Sequence, residues 1–380
     1  MTGAPPVGQC VMTANEAAAY AAILARVRAV GCYPITPQTL IVERLAELVT
    51  GRDDVEFSEL ESEHSMFGYV IGAARAGVRT FTATSSQGLL YAHEQLHRAS
   101  RERIPLVVVD VNRAVFAPWS IEPDLTDAMS QRDTGWVQLY CASGQEVLDS
   151  VICAYRIAEQ VMLPVMVCAE GFLLSHTSEL VDLPSQHAVD AFLPPLLPPE
   201  DWLLDPRKPR LFSALPRADD YQAFQRDVAD AMEEAAGVVQ AVAADFSRHF
   251  GRGKIGALEA SGNPTGSRAL VAVGTIAETA RELLDEDDDL LVVRVHAYRP
   301  FPGAALVATL GQTEHVTVVD RAAAFGSFGP LAADVRALGI DAAAVVGGLG
   351  GADVTPTTLR WALEQPPSRT DVAYVPVGVR

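Results

Sequence analysis

"PLVVVDVNR", residues 105–113, is an apolar run rich in valine that ends in an arginine. A short run of this kind, preceded by proline and followed by polar residues, is typical of a buried strand. "LPVMVCA" (163–169) repeats the pattern, while "ANEAAAYAAILARV" (14–27) and "SEHSMFGYVIGAARAG" (62–77) have the apolar spacing of helices. Buried strands that alternate with helices predict a parallel sheet, so the fold class is α/β.

The length of 380 residues predicts about two domains. Prolines in 192–216 forbid regular helix, and the sequence after them predicts one long amphipathic helix that begins near Asp219 and Asp220 and ends at Gly251. A second alternating series of strands and helices starts near residue 268. We therefore predict a first domain over 1–191, a crossing segment with the long helix over 192–265, and a second domain over 266–380.

Composition excludes several classes of function. No apolar run reaches the roughly 18 to 20 residues that span a bilayer, and no secretory signal is visible, so we expect a cytoplasmic protein. The net charge of −19 would repel a nucleic acid. The cysteines lack the spacing of a zinc or iron–sulfur site, so any such metal centre must lie on another chain. They are Cys10, Cys32, Cys141, Cys153 and Cys168, and Cys32 is interpreted as a small packed residue.

Two short motifs resemble known sites only superficially. "HEQLH" (93–97) matches the H-E-x-x-H pattern of zinc proteases, but the segment after it lacks the remaining signature, so we predict a packed, partly exposed helix and no metal site. "GGLGG" (347–351) lacks the lysine of a phosphate-binding loop. A glycine turn between a strand and a helix is the favoured interpretation, with a nucleotide loop as the alternative.

Three other stretches carry candidate site residues. Glu59 and Glu61 are interpreted as complements of a helix dipole, whereas Glu63 borders an apolar helix and is expected to be partly buried. "TFTATSSQGLLY" (80–91) places hydroxyls, an amide and a glycine at a transition from strand to helix, where α/β sheets bind ligands. Arg113 ends a buried strand and can hold a carboxylate, although a surface or interface ion pair is the alternative. The polar segment after it is typical of a loop over a site.

Taken together, these residues resemble the α subunit of the 2-oxoacid:ferredoxin oxidoreductases, most closely the pyruvate type. The similarity extends through nearly the whole chain and keeps one order. It includes "YPITPQT" (33–39), "ESEH" (61–64), "ARAGVRTFTATSSQGLLY" (74–91), "RDTGWVQLY" (132–140), "RPFPG" (299–303), "VDRAAAFGSFGPL" (319–331) and "GLGGADVT" (348–355). The resemblance implies a thiamine diphosphate-binding domain of the pyrimidine type, followed by a domain like the C-terminal domain of transketolase.

The resemblance also implies residue roles. Thr36 and Arg113 match the residues that bind the carboxylate of the 2-oxoacid, and Pro34 and Pro37 stiffen the loop that carries Thr36. Glu63 matches the glutamate that hydrogen-bonds the aminopyrimidine of thiamine diphosphate and thereby activates the cofactor. In addition to Glu63, the residues Pro34, Ser86 and Gln87 are expected to contact the cofactor.

The implied reaction is the oxidative decarboxylation of a 2-oxoacid, with pyruvate as the leading candidate, to acyl-coenzyme A and carbon dioxide, with electrons passed to ferredoxin. The chain lacks the G-D-G and asparagine loop for thiamine diphosphate and Mg²⁺, and it lacks cluster cysteines. The resemblance therefore implies a β subunit that carries the diphosphate site, Mg²⁺ and a [4Fe–4S] cluster, together with γ and ferredoxin-like δ chains or domains.

One stretch departs from the family pattern. "EPDLTD" (122–127) has Leu125 where histidine or glutamine is usual, and together with Trp119 it could favour a bulkier oxoacid. Two alternatives therefore stay open: a non-oxidative thiamine diphosphate decarboxylase or carboligase, and a non-catalytic assembly subunit. Retention of Thr36, Glu63 and Arg113 argues against the second alternative, since a scaffold needs none of them.

Overall fold

The computed structural model describes residues 5–253, 256–368, 370–376 and 378. The strands are β1 (Gly8–Thr13), β2 (Ala29–Cys32), β3 (Glu56–Glu59), β4 (Thr80–Thr84), β5 (Val107–Asn112), β6 (Val137–Tyr140), β7 (Val165–Glu170), β8 (Ser178–Leu183), β9 (Leu258–Gly262), β10 (Arg268–Ala272), β11 (Leu290–Val295), β12 (Ala297–Arg299), β13 (His315–Asp320), β14 (Ala342–Val346) and β15 (Ala373–Tyr374). The helices are α1 (Ala14–Leu24), α2 (Thr39–Val49), α3 (Glu63–Arg75), α4 (Ser86–Tyr91), α5 (His93–Arg101), α6 (Thr126–Met129), α7 (Gly144–Val161), α8 (Gln186–Phe192), α9 (Ala218–Phe250), α10 (Thr275–Arg281), α11 (Gly303–Leu310), α12 (Pro330–Ala337) and α13 (Pro356–Leu363).

The first sheet has seven strands in the order β12-β6-β7-β5-β4-β2-β3. Its strands run parallel except for β12, and Val107 of β5 is aligned with Phe81 of β4 and with Val165 of β7. The predicted strands in "PLVVVDVNR" and "LPVMVCA" are therefore confirmed as neighbours at the centre of a parallel sheet.

The valine run of β5 is explained by burial on both faces of the sheet. Val107 and Val109 lie in the apolar cluster that includes α1 and α7, whereas Val108 lies in the cluster that includes α3 and α5. Successive side chains of a strand point to opposite faces, so a central strand covered by helices on both sides needs a continuous apolar run.

The second sheet has six strands in the order β15-β14-β13-β10-β11-β9, and only β9 runs antiparallel to its neighbour. A strand from the second half of the sequence, β12, leaves this sheet and pairs with β6 of the first. This exchange was not predicted, because a strand of three residues carries too little pattern to reveal its pairing partner. The small third sheet pairs β1 with β8.

The long helix predicted after the prolines is confirmed as α9. It begins one residue before Asp219, and Gly251 ends it with a φ of 68°, the left-handed conformation that glycine adopts readily. Its buried residues from Val228 to Phe246 pack against the cluster that includes α7. Among the described helices, α9 included, none is both long and apolar enough to cross a membrane.

The "GGLGG" segment joins the two halves of the molecule. It follows β14, and its Gly350 N–H donates to Asp124 Oδ2 at 3.2 Å. A Cβ on Gly351 would come within 2.5 Å of the Cβ of Glu122, so only glycine allows the loop from the first half to approach so closely. The interpretation as a turn between a strand and a helix is confirmed, since α13 follows it.

A second set of contacts between the halves centres on Glu170 at the end of β7. Its carboxylate accepts hydrogen bonds from the Thr275 backbone N–H at 2.8 Å and from the Thr275 hydroxyl at 2.5 Å. Arg321 Nε lies 3.4 Å from the same carboxylate. These polar contacts fix the orientation of the second sheet relative to the first.

We expect alkylation of the native chain to label Cys10 and to spare the other four cysteines. Cys10 is partly exposed, whereas the rest are buried, and burial raises the pKa of the Cys32 thiol to about 11. The thiolate is the reactive form, so Cys32 should react slowly at pH 8. Peptide mapping after iodoacetamide treatment checks this, with the unfolded chain as the control in which all five react. Rapid native labelling of Cys32 would contradict the packing.

Candidate active site

The candidate residues meet at the carboxyl end of the first sheet. Strands β5, β4 and β2 are neighbours in the sheet, and each is followed directly by a candidate segment. Arg113 follows β5, the "SSQG" turn follows β4, and the "YPITP" loop follows β2. Because parallel strands end at the same edge, the topology brings together residues 77 positions apart in sequence.

The "YPITP" loop is fixed through its own backbone carbonyls. Asn15 Nδ2 donates to Pro37 O at 2.8 Å, and Gln38 Nε2 donates to Tyr33 O at 2.8 Å and to Ala83 O at 3.1 Å. Asn15 and Gln38 are buried, so these hydrogen bonds are shielded from water. The side-chain amides of Asn15 and Gln38 thus stabilise the loop conformation together with its prolines.

Thr36 and Pro34 lie on the exposed side of this loop. The Thr36 carbonyl accepts a hydrogen bond from Arg113 Nη1 at 2.6 Å. Among the described residues, the Thr36 hydroxyl has no hydrogen-bond partner. The loop therefore presents a hydroxyl to the solvent while its backbone is held by the arginine.

Glu63 is the first residue of α3, and the Ser62 side chain caps the helix. It is buried with 7% of its surface exposed, so the expected burial of Glu63 is confirmed, whereas Glu59 and Glu61 are exposed. Glu59 ends β3 and so does not lie at the helix start where it was expected. Burial raises the pKa of the Glu63 carboxyl, and the charge of Arg113 partly opposes this shift. In the described part of the chain, no other side chain hydrogen-bonds to Glu63.

Gly88 provides the space that the Glu63 carboxyl occupies. A Cβ at position 88 would lie 2.6 Å from Glu63 Oε1 and 2.4 Å from Thr84 Oγ1. The φ of Gly88 is not unusual, so the requirement for glycine here is one of close approach. The buried carboxyl thus lies against the first turn of α4. No side chain within the described ranges uses its hydrogen-bonding capacity.

Arg113 connects the two other candidate segments. Its Nη1 donates to Thr36 O and its Nη2 donates to Gln87 Oε1, while its buried Nε has no hydrogen-bond partner among the residues that the structure describes. Burial lowers the pKa of the guanidinium, opposed by nearby carboxylates. The guanidinium retains unused donors, which fits a carboxylate ligand.

Ser86 contacts the backbone and side chains of the neighbouring site segments. It is fully buried with a φ of 47°, and its hydroxyl lies 2.6 Å from Ala114 O and 2.5 Å from Gln87 Oε1. Within this chain the hydroxyl is therefore already hydrogen-bonded. Cofactor contact by Ser86, and by its neighbour Gln87, stays a prediction.

Polar residues beneath the site were not predicted from the sequence. Asp127 is fully buried and accepts hydrogen bonds from the backbone N–H groups of Ser86 at 3.0 Å and Arg113 at 2.9 Å. Asn112 Nδ2 donates to Asp127 Oδ1 at 2.9 Å and to Asp110 Oδ2 at 2.7 Å. The only available signal was an aspartate in a polar loop, a pattern that ordinarily indicates solvent exposure.

The "EPDLTD" loop differs from expectation at Leu125. This side chain is fully buried in the apolar cluster that includes Trp136 and Tyr140, so it has no surface to offer a substrate. Trp119 is 69% exposed, with its ring centroid 5.7 Å from the Arg113 guanidinium. Of the two residues thought to shape the pocket, only Trp119 borders the arginine.

The "HEQLH" segment is the first part of α5. His93 Nδ1 lies 2.5 Å from Gln131 Oε1, and the His93 and His97 rings are in contact at 4.7 Å between centroids. Over the described ranges, no group of three or more histidine, cysteine, aspartate or glutamate side chains is arranged to hold a metal ion.

We expect Gly88→Ala to lower turnover at least tenfold while the chain remains folded. The added methyl would displace the Glu63 carboxyl from its place against α4, because atoms cannot approach to 2.6 Å. Activity of the assembled enzyme and its melting temperature are measured together. Gly72→Ala in α3 is the control, since nothing lies within 4 Å of a Cβ there and alanine favours helix. Equal activity of both variants would contradict the close contact.

Comparison with known proteins agrees with this architecture. The family described as "Pyruvate flavodoxin/ferredoxin oxidoreductase, thiamine diP-bdg" matches residues 20–244, and "Pyruvate:ferredoxin oxidoreductase core domain II" matches 267–359. The pyruvate synthase subunit PorA of Methanothermobacter thermautotrophicus is 42% identical over 357 residues, which cover 91% of this chain and 92% of the relative. The ketoisovalerate oxidoreductase subunit VorA of Pyrococcus horikoshii is 41% identical over 331 residues, covering 86% and 84%.

Among solved structures, the 2-oxoglutarate:ferredoxin oxidoreductase from Magnetococcus marinus has a similar fold. The TM-score is 0.72 at 18% identity, and the match covers 93% of this chain and 64% of that chain. The expected fold class, a parallel-sheet α/β domain of the thiamine diphosphate-binding type followed by a second α/β domain, is thereby confirmed. With two family models that together account for most of its length and relatives above 40% identity, the chain belongs to the pyruvate flavodoxin/ferredoxin oxidoreductase family.

Proposed function

We propose that the chain is the α subunit of a 2-oxoacid:ferredoxin oxidoreductase that decarboxylates pyruvate oxidatively, with acyl-coenzyme A as the product and ferredoxin as the electron acceptor. One observation carries the proposal. A buried glutamate, whose carboxyl no other described side chain hydrogen-bonds, lies near an arginine with remaining N–H donors, at the edge of a sheet in a thiamine diphosphate-binding domain.

The residues fit thiamine diphosphate. Glu63 can accept a hydrogen bond from a ring nitrogen, and the lack of competing side chains leaves the carboxyl available for it. When bound, the cofactor supplies a nucleophilic carbon for the 2-oxo group. Pro34, Ser86 and Gln87 belong to the two segments that face this position and are proposed to border the cofactor.

Arg113 and Thr36 are proposed to hold the substrate carboxylate. The guanidinium provides charge and remaining N–H donors, and the exposed Thr36 hydroxyl adds a further hydrogen bond. Because the arginine also holds the Thr36 carbonyl, both donors keep a fixed separation before substrate arrives. Such preorganisation aligns the 2-oxo carbon and lowers the entropic part of the barrier.

A partner chain is proposed to cover this face and to complete the site. Large apolar side chains are exposed around the carboxyl end of the first sheet, and exposed patches of this kind mark interaction surfaces. They are Tyr91, Phe116, Trp119, Ile121 and Leu173. We expect the partner to be a β subunit that contributes the diphosphate site, Mg²⁺ and a [4Fe–4S] cluster, with γ and δ chains or domains in addition and a cytoplasmic location for the whole.

A branched 2-oxoacid is the second candidate substrate. Trp119 and Phe116, whose ring centroids are 5.3 Å apart, form an exposed aromatic pair next to Arg113. The relatives include ketoisovalerate oxidoreductase subunits as well as pyruvate synthase subunits. An aromatic wall beside the carboxylate anchor suits an apolar substrate side chain as well as a methyl group.

The test is oxoacid-dependent reduction of a viologen dye, under strict anaerobiosis, by the chain purified with its natural partners. Pyruvate and ketoisovalerate are compared with and without coenzyme A. Reduction that needs both an oxoacid and coenzyme A supports the proposal and ranks the substrates. Carbon dioxide release without dye reduction would indicate a non-oxidative thiamine diphosphate enzyme, and no reaction in an intact complex would favour an assembly subunit.

A further inference from the structure

We propose that Asp127 is a positioning residue that sets the direction of the Arg113 guanidinium, and so determines how well the enzyme binds the carboxylate of its 2-oxoacid; this rests on the proposed function. Asp127 lies in the short helix α6, within the loop that follows the substrate arginine. Its carboxylate Oδ2 accepts the backbone N–H groups of both Ser86 and Arg113.

The two N–H groups belong to the segment that carries Arg113 and to the segment that carries Gln87, the hydrogen-bond partner of the Arg113 guanidinium. Ser86 begins α4 and is followed by Gln87, while Arg113 directly follows β5. Above them, the Arg113 guanidinium donates to the Gln87 amide oxygen. The two segments are therefore connected twice. Asp127 joins their backbones through the Ser86 and Arg113 N–H groups, and the Arg113–Gln87 hydrogen bond joins their side chains.

The hydrogen bond to Asp127 also supports an uncommon backbone conformation at Ser86. Ser86 has a φ of 47°, a region that residues other than glycine seldom adopt. In this conformation the Ser86 N–H donates to Asp127 at 3.0 Å, and the hydrogen bond helps to retain the turn. Loss of that bond would let the turn relax and carry Gln87 away from Arg113.

The other oxygen of Asp127 is fully used as well. Oδ1 accepts the Ala128 N–H at 2.8 Å and the Asn112 side-chain amide at 2.9 Å. Asn112 also donates to Asp110, a buried carboxyl whose pKa is raised well above its usual range by burial and by the charge of Asp127. With four donors around it, the Asp127 side chain has one defined orientation, as a positioning residue requires.

Asp127 acts through its neighbours and not by contact with substrate. The Asp127 side chain is fully buried. A second carboxylate in contact with the substrate would also repel the carboxylate of the oxoacid. Buried carboxyl groups cost desolvation free energy and often add little to stability. The network is accordingly better explained by the geometry it imposes on Arg113 than by a contribution to folding.

The test is Asp127→Asn in the assembled complex. Asparagine has nearly the same shape, but its NH₂ group must face N–H donors on one side or the other. Binding is measured by calorimetric titration with oxamate, which has the carboxylate of pyruvate but an unreactive amide carbonyl. We expect about tenfold weaker oxamate binding, the equivalent of one lost hydrogen bond to a charged group, and an equally raised KM for the oxoacid. The KM for coenzyme A should stay unchanged.

Asp149→Asn is the matched control. Asp149 is also a buried aspartate with a pKa raised by burial to about 6, and it contacts Arg252 and Gln145 away from the site. The Asp127 carboxyl has its pKa raised to about 6 as well. The control should alter the melting temperature without altering oxamate affinity. If both variants weakened oxamate binding equally, Asp127 would have only a structural role.

A double-mutant cycle tests whether Asp127 acts through Arg113. If Asp127 acts through Arg113, adding Asp127→Asn to Arg113→Ala should weaken oxamate binding no further. Additive losses would overturn the proposal. If the Asp127→Asn complex does not assemble, Asn112→Ser can be used instead, because it removes the side-chain amide that donates to Asp127. Oxamate binding should then weaken about threefold, the effect of about half of a typical hydrogen bond. Unchanged affinity would again overturn the proposal.

The same measurements separate a wrong proposed function from a wrong positioning role for Asp127. If the wild-type complex neither binds oxamate nor oxidises any oxoacid, the proposed function is wrong. If the wild-type complex does both and Asp127→Asn is indistinguishable from it, only the positioning role is wrong.

Discussion

The substitution Glu63→Gln should reduce oxoacid-dependent turnover by about a hundredfold or more, with assembly intact. A side chain that takes part in proton transfer or in activation of a cofactor typically contributes 10²–10⁴-fold. Glutamine has the same length, so it can occupy the space beside Gly88, but it cannot carry the negative charge of the carboxylate. The expected loss is therefore chemical and not structural.

The measurement is dye reduction by the complex at saturating oxoacid and coenzyme A, over a range of pH. Burial raises the pKa of Glu63, so the wild-type rate should fall with decreasing pH earlier than an exposed glutamate would cause. The sign follows from the need for the charged form, which is lost as the pH decreases through the raised pKa. The residual activity of Glu63→Gln should lack this acidic limb.

Glu61→Gln is the matched control, because Glu61 lies two residues away, is exposed, and interacts with Ser65. It should leave turnover within about twofold of wild type, as surface substitutions usually do. Near-normal turnover of Glu63→Gln would show that the carboxyl has no part in the chemistry. A variant that no longer associates with its partners would instead assign Glu63 to the interface.

The second large effect is expected from Arg113→Ala. The oxoacid KM should increase about 10- to 100-fold, because hydrogen bonds to charged groups are each worth about 1.5–3 kcal/mol. A smaller decrease of kcat should accompany it, since the Thr36 carbonyl loses its hydrogen bond from Nη1 and the loop is less ordered. Arg113→Lys should lie between, because an ammonium keeps the charge but cannot contact Thr36 and Gln87 at once.

Arg103→Ala is the control for this variant. Arg103 also donates to backbone carbonyls, those of Val161 and Met162, but it lies away from the site. Its loss should lower the melting temperature and leave the oxoacid KM unchanged. If Arg113→Ala impaired only the association of subunits, the alternative of an interface ion pair would be correct.

Much of the fold could be predicted because its signals are local. The valine run of β5, the small-residue helices and the glycine at the end of α9 each follow from the conformational preferences of neighbouring residues. Burial of Glu63, but not of Glu59 or Glu61, could be predicted because only Glu63 adjoins an apolar segment. The exchange of β12 could not, since strand pairing over more than a hundred residues leaves no local trace.

The sequence by itself determined the α/β class, the alternation of strands and helices and the family, because these depend on periodicity and on motifs that are contiguous along the chain. Only the tertiary structure decided which side chains meet. Arg113 contacts Thr36 and Gln87 because three strands that are distant in sequence end side by side. Asp127 became a buried link and Leu125 a core residue because the loop that carries them folds between the two sheets. Burial of a polar side chain is a property of the whole packing, and residue type alone cannot specify it.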